Sequence, residues 1–497
     1  MPKTLLSALL ALSLGGCMIG PDYVRPPLES PESWRFAVAE ADARQRASAA
    51  WWEQFNDPVL NELVAVALRE NKDLMIASAR IEEYAGRYGI TRAGLFPQLG
   101  LGADAAKQKN TLPGTTTRGT YNSYDTVLNA SWEIDLWGKI RRQGEAARAR
   151  ILASEEGRQG VILSLTASVA GAYINLRDLD RQLEIASRTA ASREASYKVF
   201  QDRYAGGVIS ILELSQNKSQ YEEALASIPV LEKAIAQQEN ALSLLLGRNP
   251  GPIARGQSID ALLAPPIPAG LPSSLLERRP DLREAEQNLI SANALIGAAK
   301  AAYYPSISLT GLFGVASPSL ANLFTDRSKI WQYSGSLGLP IFTAGLLGAQ
   351  LQVAEAQQQQ ALLSYQKAIQ NAFREVNDAL IDQDRTQAQL LAQRLQVDAL
   401  QQYSETARLR YDNGYTSYIE VLDAERSLFN AQLQYTQTQQ TRLQAMINLY
   451  KAMGGGWETA EDAGRVEPPA PPATEAPAAA TAANETAAVS GDRGQAE

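Results

Sequence analysis

Residues Arg203-Tyr204-Ala205-Gly206-Gly207-Val208-Ile209-Ser210-Ile211-Leu212-Glu213-Leu214 return as Arg410-Tyr411-Asp412-Asn413-Gly414-Tyr415-Thr416-Ser417-Tyr418-Ile419-Glu420-Val421, and each copy interrupts a very long helical pattern. Arg, Tyr, Gly, Ser and Glu keep their spacing, with the Gly where a helix would end and the Ser where the next would begin. Each copy therefore predicts the turn of a helical hairpin, at 204–210 and 411–417. The likeness extends outward. Asp73-Leu74 aligns without gaps to Asp281-Leu282, which carries Ala77 onto Ala285, Gly89 onto Gly297, Ala93 onto Ala301 and Pro97 onto Pro305. A unit this long, used twice, predicts two fused half-structures with pseudo-symmetry rather than a solenoid of small repeats.

The helices between these turns are long. Ile162, Leu165, Val169, Ala172, Leu176, Leu179 and Leu183 alternate steps of three and four, a heptad seam within a pattern from about Arg141 to Tyr204. At ~1.5 Å per residue that element is roughly 95 Å long, too long for an ordinary globular domain. A second runs from about Leu346 to Tyr411, with Leu362, Tyr365, Ile369, Phe373, Val376 and Leu380 on one side. The return helices are shorter. Ser210 to Leu246 stops at the breaker cluster Gly247-Arg248-Asn249-Pro250-Gly251-Pro252, and Ser417 to Met453 is its counterpart. Summed rise pairs 210–246 with Asp281 to Tyr304, and 417–453 with Asp73 to Phe96, so that two short helices match one long one. Breaks near Gly247 and Gly454 then share a height, where Trp51-Trp52, a helix near Val59 to Arg69, the linker from Ile253 to Leu271 and the chain around Trp457 would form a belt. Pro229 is expected to bend the first return helix.

The N-terminus carries an address. Lys3 supplies a positive start, Leu5 to Leu14 an apolar stretch too short to span a bilayer, and Leu14-Gly15-Gly16-Cys17 a small-residue cleavage site, which predicts a signal peptide at 1–16. That ending resembles a bacterial lipobox, which implies cleavage before Cys17 and acylation of that residue, the only cysteine. Met18 is not the Asp that usually retains such lipoproteins at the inner membrane, so the same resemblance points to the outer membrane. Acyl chains anchor a protein without spanning anything.

Composition removes several functions. In 497 residues with 45% hydrophobic content there is no unbroken apolar run of transmembrane-helix length after the signal, so any spanning must come from strands. One cysteine excludes an internal disulfide framework, and the lack of histidine removes the commonest general base and metal ligand. No nucleophile–base constellation stands out, so neither catalysis, nor a cofactor, nor a metal centre is expected. A net charge of −8 argues against a nucleic-acid partner.

Four segments carry the strand period. In Leu128-Asn129-Ala130-Ser131-Trp132-Glu133-Ile134-Asp135-Leu136 the apolar residues fall at every even position. Trp331-Gln332-Tyr333-Ser334-Gly335-Ser336-Leu337-Gly338-Leu339 alternates likewise, and Gln98 to Ala105 and Ser306 to Phe313 do so more weakly. The expected strands are about 98–108, 124–137, 305–315 and 331–343, each of a length that crosses hydrocarbon when tilted. A soluble sheet with one packed face would show the same alternation. The address, and Trp132, Trp137, Trp331 and Tyr333 near strand ends as an interfacial girdle, favour the membrane. Four strands cannot close a barrel, so the chain must oligomerise; two copies would give eight strands and three would give twelve.

Taken together, Cys17-Met18-Ile19-Gly20-Pro21-Asp22-Tyr23, Trp51-Trp52 with Phe55 and Asp57-Pro58, Arg279-Pro280-Asp281-Leu282, Tyr304-Pro305 and both turn motifs resemble the TolC-type outer-membrane factors, closest to their lipoprotein branch of NodT- and OprM-like efflux subunits. The resemblance covers nearly everything from Cys17 to Trp457. It implies an α+β membrane protein: a homotrimer whose twelve-stranded outer-membrane β-barrel continues into a long periplasmic α-helical barrel. It also implies an exit duct docked through a periplasmic adaptor to an inner-membrane transporter, usually of the resistance-nodulation-division type. The outer duct of a type I protein-secretion system shares this architecture, and a lipid-anchored coiled-coil scaffold would share the lipobox and heptads but have no use for strands. On this reading the chain divides into the signal peptide, a lipid-anchored segment at 17–58, a first repeat at 59–247, a linker at 248–272, a second repeat at 273–457 and an Ala/Pro-rich tail at 458–497.

The resemblance also places a gate at the periplasmic turns. Arg410, Tyr411, Ile419 and Asp423 fall near the closed aperture: an apolar constriction from Ile419, an anionic ring from Asp423, and Arg410 and Tyr411 able to tie neighbouring helices. Three Asp423 side chains around an axis would repel one another unless solvated or bound to cations, favouring cation passage. Ordinary exposed helix charges would look the same in sequence. The first copy has Gln216 where the second has Asp423, so an asymmetric gate is expected. Tyr204, Gly207, Ser210, Tyr411, Gly414 and Ser417 mark the expected adaptor-docking turns, the glycines and serines also serving helix termination and capping. Glu458 to Glu497 has the composition of a segment without a packed core. Truncation at Glu458 is expected to leave the oligomer intact on a native gel; its loss would show that the tail takes part in assembly.

Overall fold

The computed structural model describes residues 18–27, 31, 34–35, 50–111, 118–263 and 275–455; the expected signal peptide, Cys17, Trp457 and the tail lie outside these. After α1 (Pro58–Glu70), α2 (Lys72–Ala93, 22 residues) leads through β1 (Gln98–Thr111) and β2 (Arg118–Ile134) into α3 (Lys139–Ala205, 67 residues), which turns into α4 (Ile211–Leu245, 35 residues). Past the short α5 (Leu275–Arg278), the second half repeats the series in α6 (Pro280–Ala301, 22 residues), β3 (Ser306–Ser317), β4 (Lys329–Gly338), α7 (Leu346–Asp412, 67 residues) and α8 (Tyr418–Ala452, 35 residues). At ~1.5 Å per residue each long helix extends about 100 Å. α4 runs unbroken through Pro229.

Four helices end in the same way. Gly207, Gly247, Gly414 and Gly454 adopt φ of +70°, +73°, +77° and +89°, where a Cβ would be strained. The next N–H then reaches back five residues: Val208 to the Arg203 carbonyl (2.8 Å), Arg248 to Ser243 (3.1 Å), Tyr415 to Arg410 (2.9 Å) and Gly455 to Tyr450 (2.8 Å). Each is a Schellman turn, which satisfies carbonyls that the helix leaves free.

The short helices stack within a repeat, not across repeats as summed rise pairs them. The end of α4 abuts the start of α2, where Asn71 Nδ2 donates to the Leu245 carbonyl at 2.8 Å and also caps α2 through the Leu74 N–H at 3.1 Å. The end of α8 abuts the start of α6, where Arg279 donates to the Ala452 carbonyl at 3.1 Å. Since α2 and α6 are equally long, length could not choose between the pairings; these junction contacts do. The α2/α4 stack packs on α3, α3 on the α6/α8 stack, and that stack on α7. The outer flanks of α7 and of the α2/α4 stack are left unpartnered by the described residues of the chain.

A belt covers one face of this layer at the level of the breaks. A 3-10 turn at Trp51–Phe55, α1 and the segment from Ile253 to Leu262 bury Trp51, Phe55, Leu60, Val64, Ile253 and Ile259 against Val169, Tyr173 and Ile174 of α3, Leu242 of α4 and Met446, Ile447 and Tyr450 of α8. One 18-residue stretch of α3 has a mean hydropathy of 1.3, enough by composition to cross a membrane, but half of it is buried inside the structure, where α3 supplies the belt core. Asp57 holds the belt together. Buried at the N-cap of α1, it accepts from the Val59 N–H (2.9 Å), the Gln257 N–H (3.0 Å) and the Tyr173 hydroxyl (2.8 Å), and that hydroxyl accepts from the Gly256 N–H (2.9 Å).

Above the belt, the N-terminal residues form a strap along α3, α6 and α7. Buried Arg142 donates to the carbonyls of Ile19 and Gly20, both at 3.2 Å, and pairs with Asp22 and Glu145, both at 2.8 Å. Asn293 donates to the Pro21 carbonyl (3.0 Å), Arg25 pairs with Glu286 (2.7 Å), and Trp34 meets Phe373 edge-on at 5.9 Å. Gly20 lies directly on Gly297, so that a Cβ on either would overlap the other strand of chain. The aligned Gly89 has open space around it, so the close approach of the strap at Gly297 has no counterpart at the matching position of the first repeat.

The strands form one antiparallel sheet in the order β1-β2-β3-β4, with β1 and β4 as open edges. Leu101, Leu128, Phe313 and Trp331 stand in register across all four strands, as do Leu99, Ala130, Gly311 and Tyr333. The alternate rung of Gly100, Asn129, Leu312 and Gln332 belongs to the other, more polar face. No helix among the described residues covers the apolar face, and Leu101, Phe313, Trp331 and Tyr333 are exposed. A soluble sheet would pack that face. At the helical end, Trp132 and Trp137 donate their indole N–H groups to the carbonyls of Leu95 (3.0 Å) and Pro305 (2.7 Å). The fourth strand ends at Gly338 rather than near 343, because Pro340 has no N–H for the ladder and the chain turns through positive φ at Ala344 and Gly345.

Replacing Asp57 with Ala removes a helix cap and strands two buried donors, so thermal unfolding of the helical body is expected to show a loss of about 2–4 kcal/mol. A change within about 0.5 kcal/mol, as for an ordinary surface substitution, would contradict the role given to this residue.

Candidate functional site at the helical turns

The two turns share one core. Phe200 of α3, Ala407 of α7 and Tyr418, Val421 and Ala424 of α8 form a buried cluster, against which Ile209, Leu214, Tyr411 and Leu422 pack. Tyr411 stacks 6.1 Å from Phe200 and lies 5.1 Å from Tyr418, so the tie it makes lies within one chain. Arg410 is exposed and its side chain has no partner among the described residues. The salt bridge between the turns comes instead from Arg203 and Asp412, at 3.8 Å.

A polar layer backs this core. Buried Arg193 donates to the Gln220 carbonyl at 2.7 Å and lies 5.4 Å over the Phe429 ring. Arg408 donates to Ser196 Oγ (3.0 Å) and stands 3.7 Å from Glu425, while Asn217 donates to the Tyr418 hydroxyl. Burial pushes the Glu425 carboxyl up, against the pull of Arg408 and Arg193, and pushes the Tyr418 hydroxyl up to about 12. Burial also lowers Arg193, with Glu223 and Glu425 opposing.

The copies differ in their caps. Ser210 accepts from the Glu213 N–H at 3.3 Å while Glu213 accepts from the Ser210 N–H at 2.9 Å, a complete capping box. Ser417 occupies the same position without a side-chain cap bond. Around both turns an apolar rim is exposed: Tyr204, Val208, Ile211 and Leu212 on the first, Leu409, Tyr415 and Ile419 on the second. Gly207 and Gly414 are exposed at its apex.

Ile419 and Asp423 belong to a stripe. Ile419, Asp423, Arg426, Asn430, Gln434 and Gln437 recur at steps of three and four on α8 and are all exposed or, at most, half-buried. The residues that α8 turns to the belt, Leu443, Met446 and Tyr450, lie on its opposite side. The stripe is thus on the bare face of the helix layer. Asp423 is paired at 3.1 Å with Arg426 one turn on, a partner that sequence reasoning missed although i,i+3 spacing signals it. Arg408, Glu425 and Arg193 were missed as well, since only the packing of α3 against α7 and α8 brings them together.

The described residues include no group of His, Cys, Asp and Glu able to hold a metal. A family model described as outer membrane efflux protein matches residues 63–248 and 271–455. The chain is 38% identical over 465 residues to the toluene efflux pump outer membrane protein TtgF of Pseudomonas putida, covering 91% of this chain and 97% of that protein. It is 38% identical over 463 residues to the cation efflux system protein CusC of Escherichia coli, covering 92% and 99%. The crystal structure of the open state of the Neisseria gonorrhoeae MtrE outer membrane channel superposes with a TM-score of 0.80 at 34% identity, covering 88% of this chain and 98% of that one.

A carboxyl raised by burial favours the proton in the folded state, so the tip is expected to gain stability as pH falls through the range between its ordinary and folded values. Hydrogen exchange of the α7–α8 turn should slow from pH 8 to pH 5 in the wild type and change less in Glu425→Gln. Equal pH dependence in both would show that another group carries the effect.

Proposed function

This chain belongs to the outer membrane efflux protein family, and from that premise we propose that three copies join into one duct, gated at the turns between α3 and α4 and between α7 and α8. It acts as the outer-membrane channel of an efflux pump. The observation that carries the reading is the bare four-stranded sheet: among the described residues nothing packs on its apolar face or pairs with its two edges, and it is continuous with helices of about 100 Å. A coiled-coil scaffold has no use for such a sheet. Export is driven by an inner-membrane transporter, here assigned to the resistance-nodulation-division type, through a periplasmic adaptor.

The turns have separate tasks in this proposal. Ile419 supplies an apolar constriction on the bare face of α8 and Asp423 a charge whose repulsion Arg426 tempers. Arg410, exposed beside Tyr411, is free to reach a neighbouring chain, while Tyr411 fixes the hairpin to its own α3. The turns themselves, Tyr204, Gly207, Ser210, Gly414 and Ser417, with the apolar side chains of Val208 and Tyr415 exposed beside them, are the adaptor-docking surface. Lipid anchoring through Cys17 suits the strap, whose Met18 packs against Gly138 at the junction of β2 and α3.

Ile419→Ala with Asp423→Ala is expected to raise planar-bilayer conductance severalfold while the oligomer stays intact. An assembled protein with unchanged conductance would place the gate elsewhere; one that never conducts would overturn the channel reading. Cys17→Ala is expected to abolish palmitate labelling.

A further inference from the structure

Above the belt, the bare face of the helix layer carries a furrow between α2, α3 and α6 of about 350 Å³. Arg80, Arg150 and Arg158 line it, with Tyr84, Ser154 and Glu284. A second hollow of about 380 Å³ continues it toward the sheet, sharing Tyr84 and Arg150.

Its position follows from α6. Glu286, Asn293 and Gly297 face the strap, whereas Glu284 and, in the second hollow, Leu295 line the furrow from the opposite side of the helix. A strap on the inner face of a closed barrel would fill the duct, so the strap is outside and the furrow opens to the lumen.

Its electrostatics come from the three arginines that line it. None of Arg80, Arg150 and Arg158 has an ion-pair partner among the described residues. Two donors there are buried and unused, Arg158 Nε and Ser154 Oγ. The one acid lining the furrow, Glu284, has its carboxyl raised by burial and by Asp281, with Arg80 opposing. Three unpaired guanidiniums beside idle donors and a tyrosine ring form a receptor for an oxyanion attached to an apolar body.

We propose that each chain carries a lumenal binding site for a small organic anion, a carboxylate, sulfonate or phosphate monoester on an apolar body, formed by Arg80, Arg150, Arg158 and Ser154. The site retains anionic cargo transiently in the upper duct. It would act beyond the gate, and no residue of the turns takes part.

The test is equilibrium dialysis of the purified assembly in nonionic detergent against 2-naphthalenesulfonate, with a detergent-only blank. Saturable binding near one equivalent per chain, weakened by salt, is expected. Arg80→Gln/Arg150→Gln/Arg158→Gln should weaken it about tenfold or more, as loss of charge-assisted hydrogen bonds requires. Arg150→Gln alone, at an exposed position that leaves folding undisturbed, should weaken it about threefold. Arg148→Gln, on the opposite side of α3, should leave it unchanged. Binding that stays equal in Arg150→Gln, or that neutral 2-naphthol matches, overturns the proposal, as does uptake no greater than the blank. Since the assay reads binding and not transport, its failure leaves the channel reading untouched, and an assembly that binds but never conducts would fault that reading instead.

Discussion

An edge strand in hydrocarbon has no water to satisfy its N–H and C=O groups, and this chain has two such edges. Each unpaired group would cost several kcal/mol, on the order of what separates folded from unfolded protein. The only escape open to β1 and β4 is to pair with one another on different chains until the ring closes. The helical layer repeats the problem in milder form, since α7 and the α2/α4 stack leave flanks that only a neighbour can cover. Sheet and helices therefore close together, and the continuous duct is a consequence of closing both.

The duplicated design keeps these two parts in step. Helices of 22, 67 and 35 residues occur in the same order in each half, so the turns at Gly207 and Gly414 lie at one level and the breaks at Gly247 and Gly454 at another. The departures from symmetry are confined and specific. The strap crosses Gly297 and not the aligned Gly89, which explains a glycine at 297 that serves close packing while Gly89 has open space. Asp423 and Arg426 face the bare side of α8 where α4 carries Gln216 and Ser219. The two copies thus present different charge on that side.

Much of this was legible in the sequence because the signals are periodic. Heptad steps over Ile162 to Leu183 and alternation over Leu128 to Leu136 are local, and so are Gly and Pro at helix ends. What stayed hidden depends on contacts between distant residues. Equal lengths of α2 and α6 made the stacking ambiguous until Asn71 met Leu245 and Arg279 met Ala452. Tyr411 read as able to tie neighbouring helices, but only the packing of α7 against α3 shows that Phe200 is the ring it stacks on. The arginines of the lumenal furrow are spread over α2 and α3, and nothing in their local pattern distinguishes them from solvated charges.

The account rests on the claim that chains close into a ring of twelve strands, and native mass spectrometry of the detergent-purified protein tests it most directly. The predicted result is a single species of three chains that persists on dilution. A stable monomer would contradict the argument from open edges, and a stable dimer would contradict the twelve-stranded barrel.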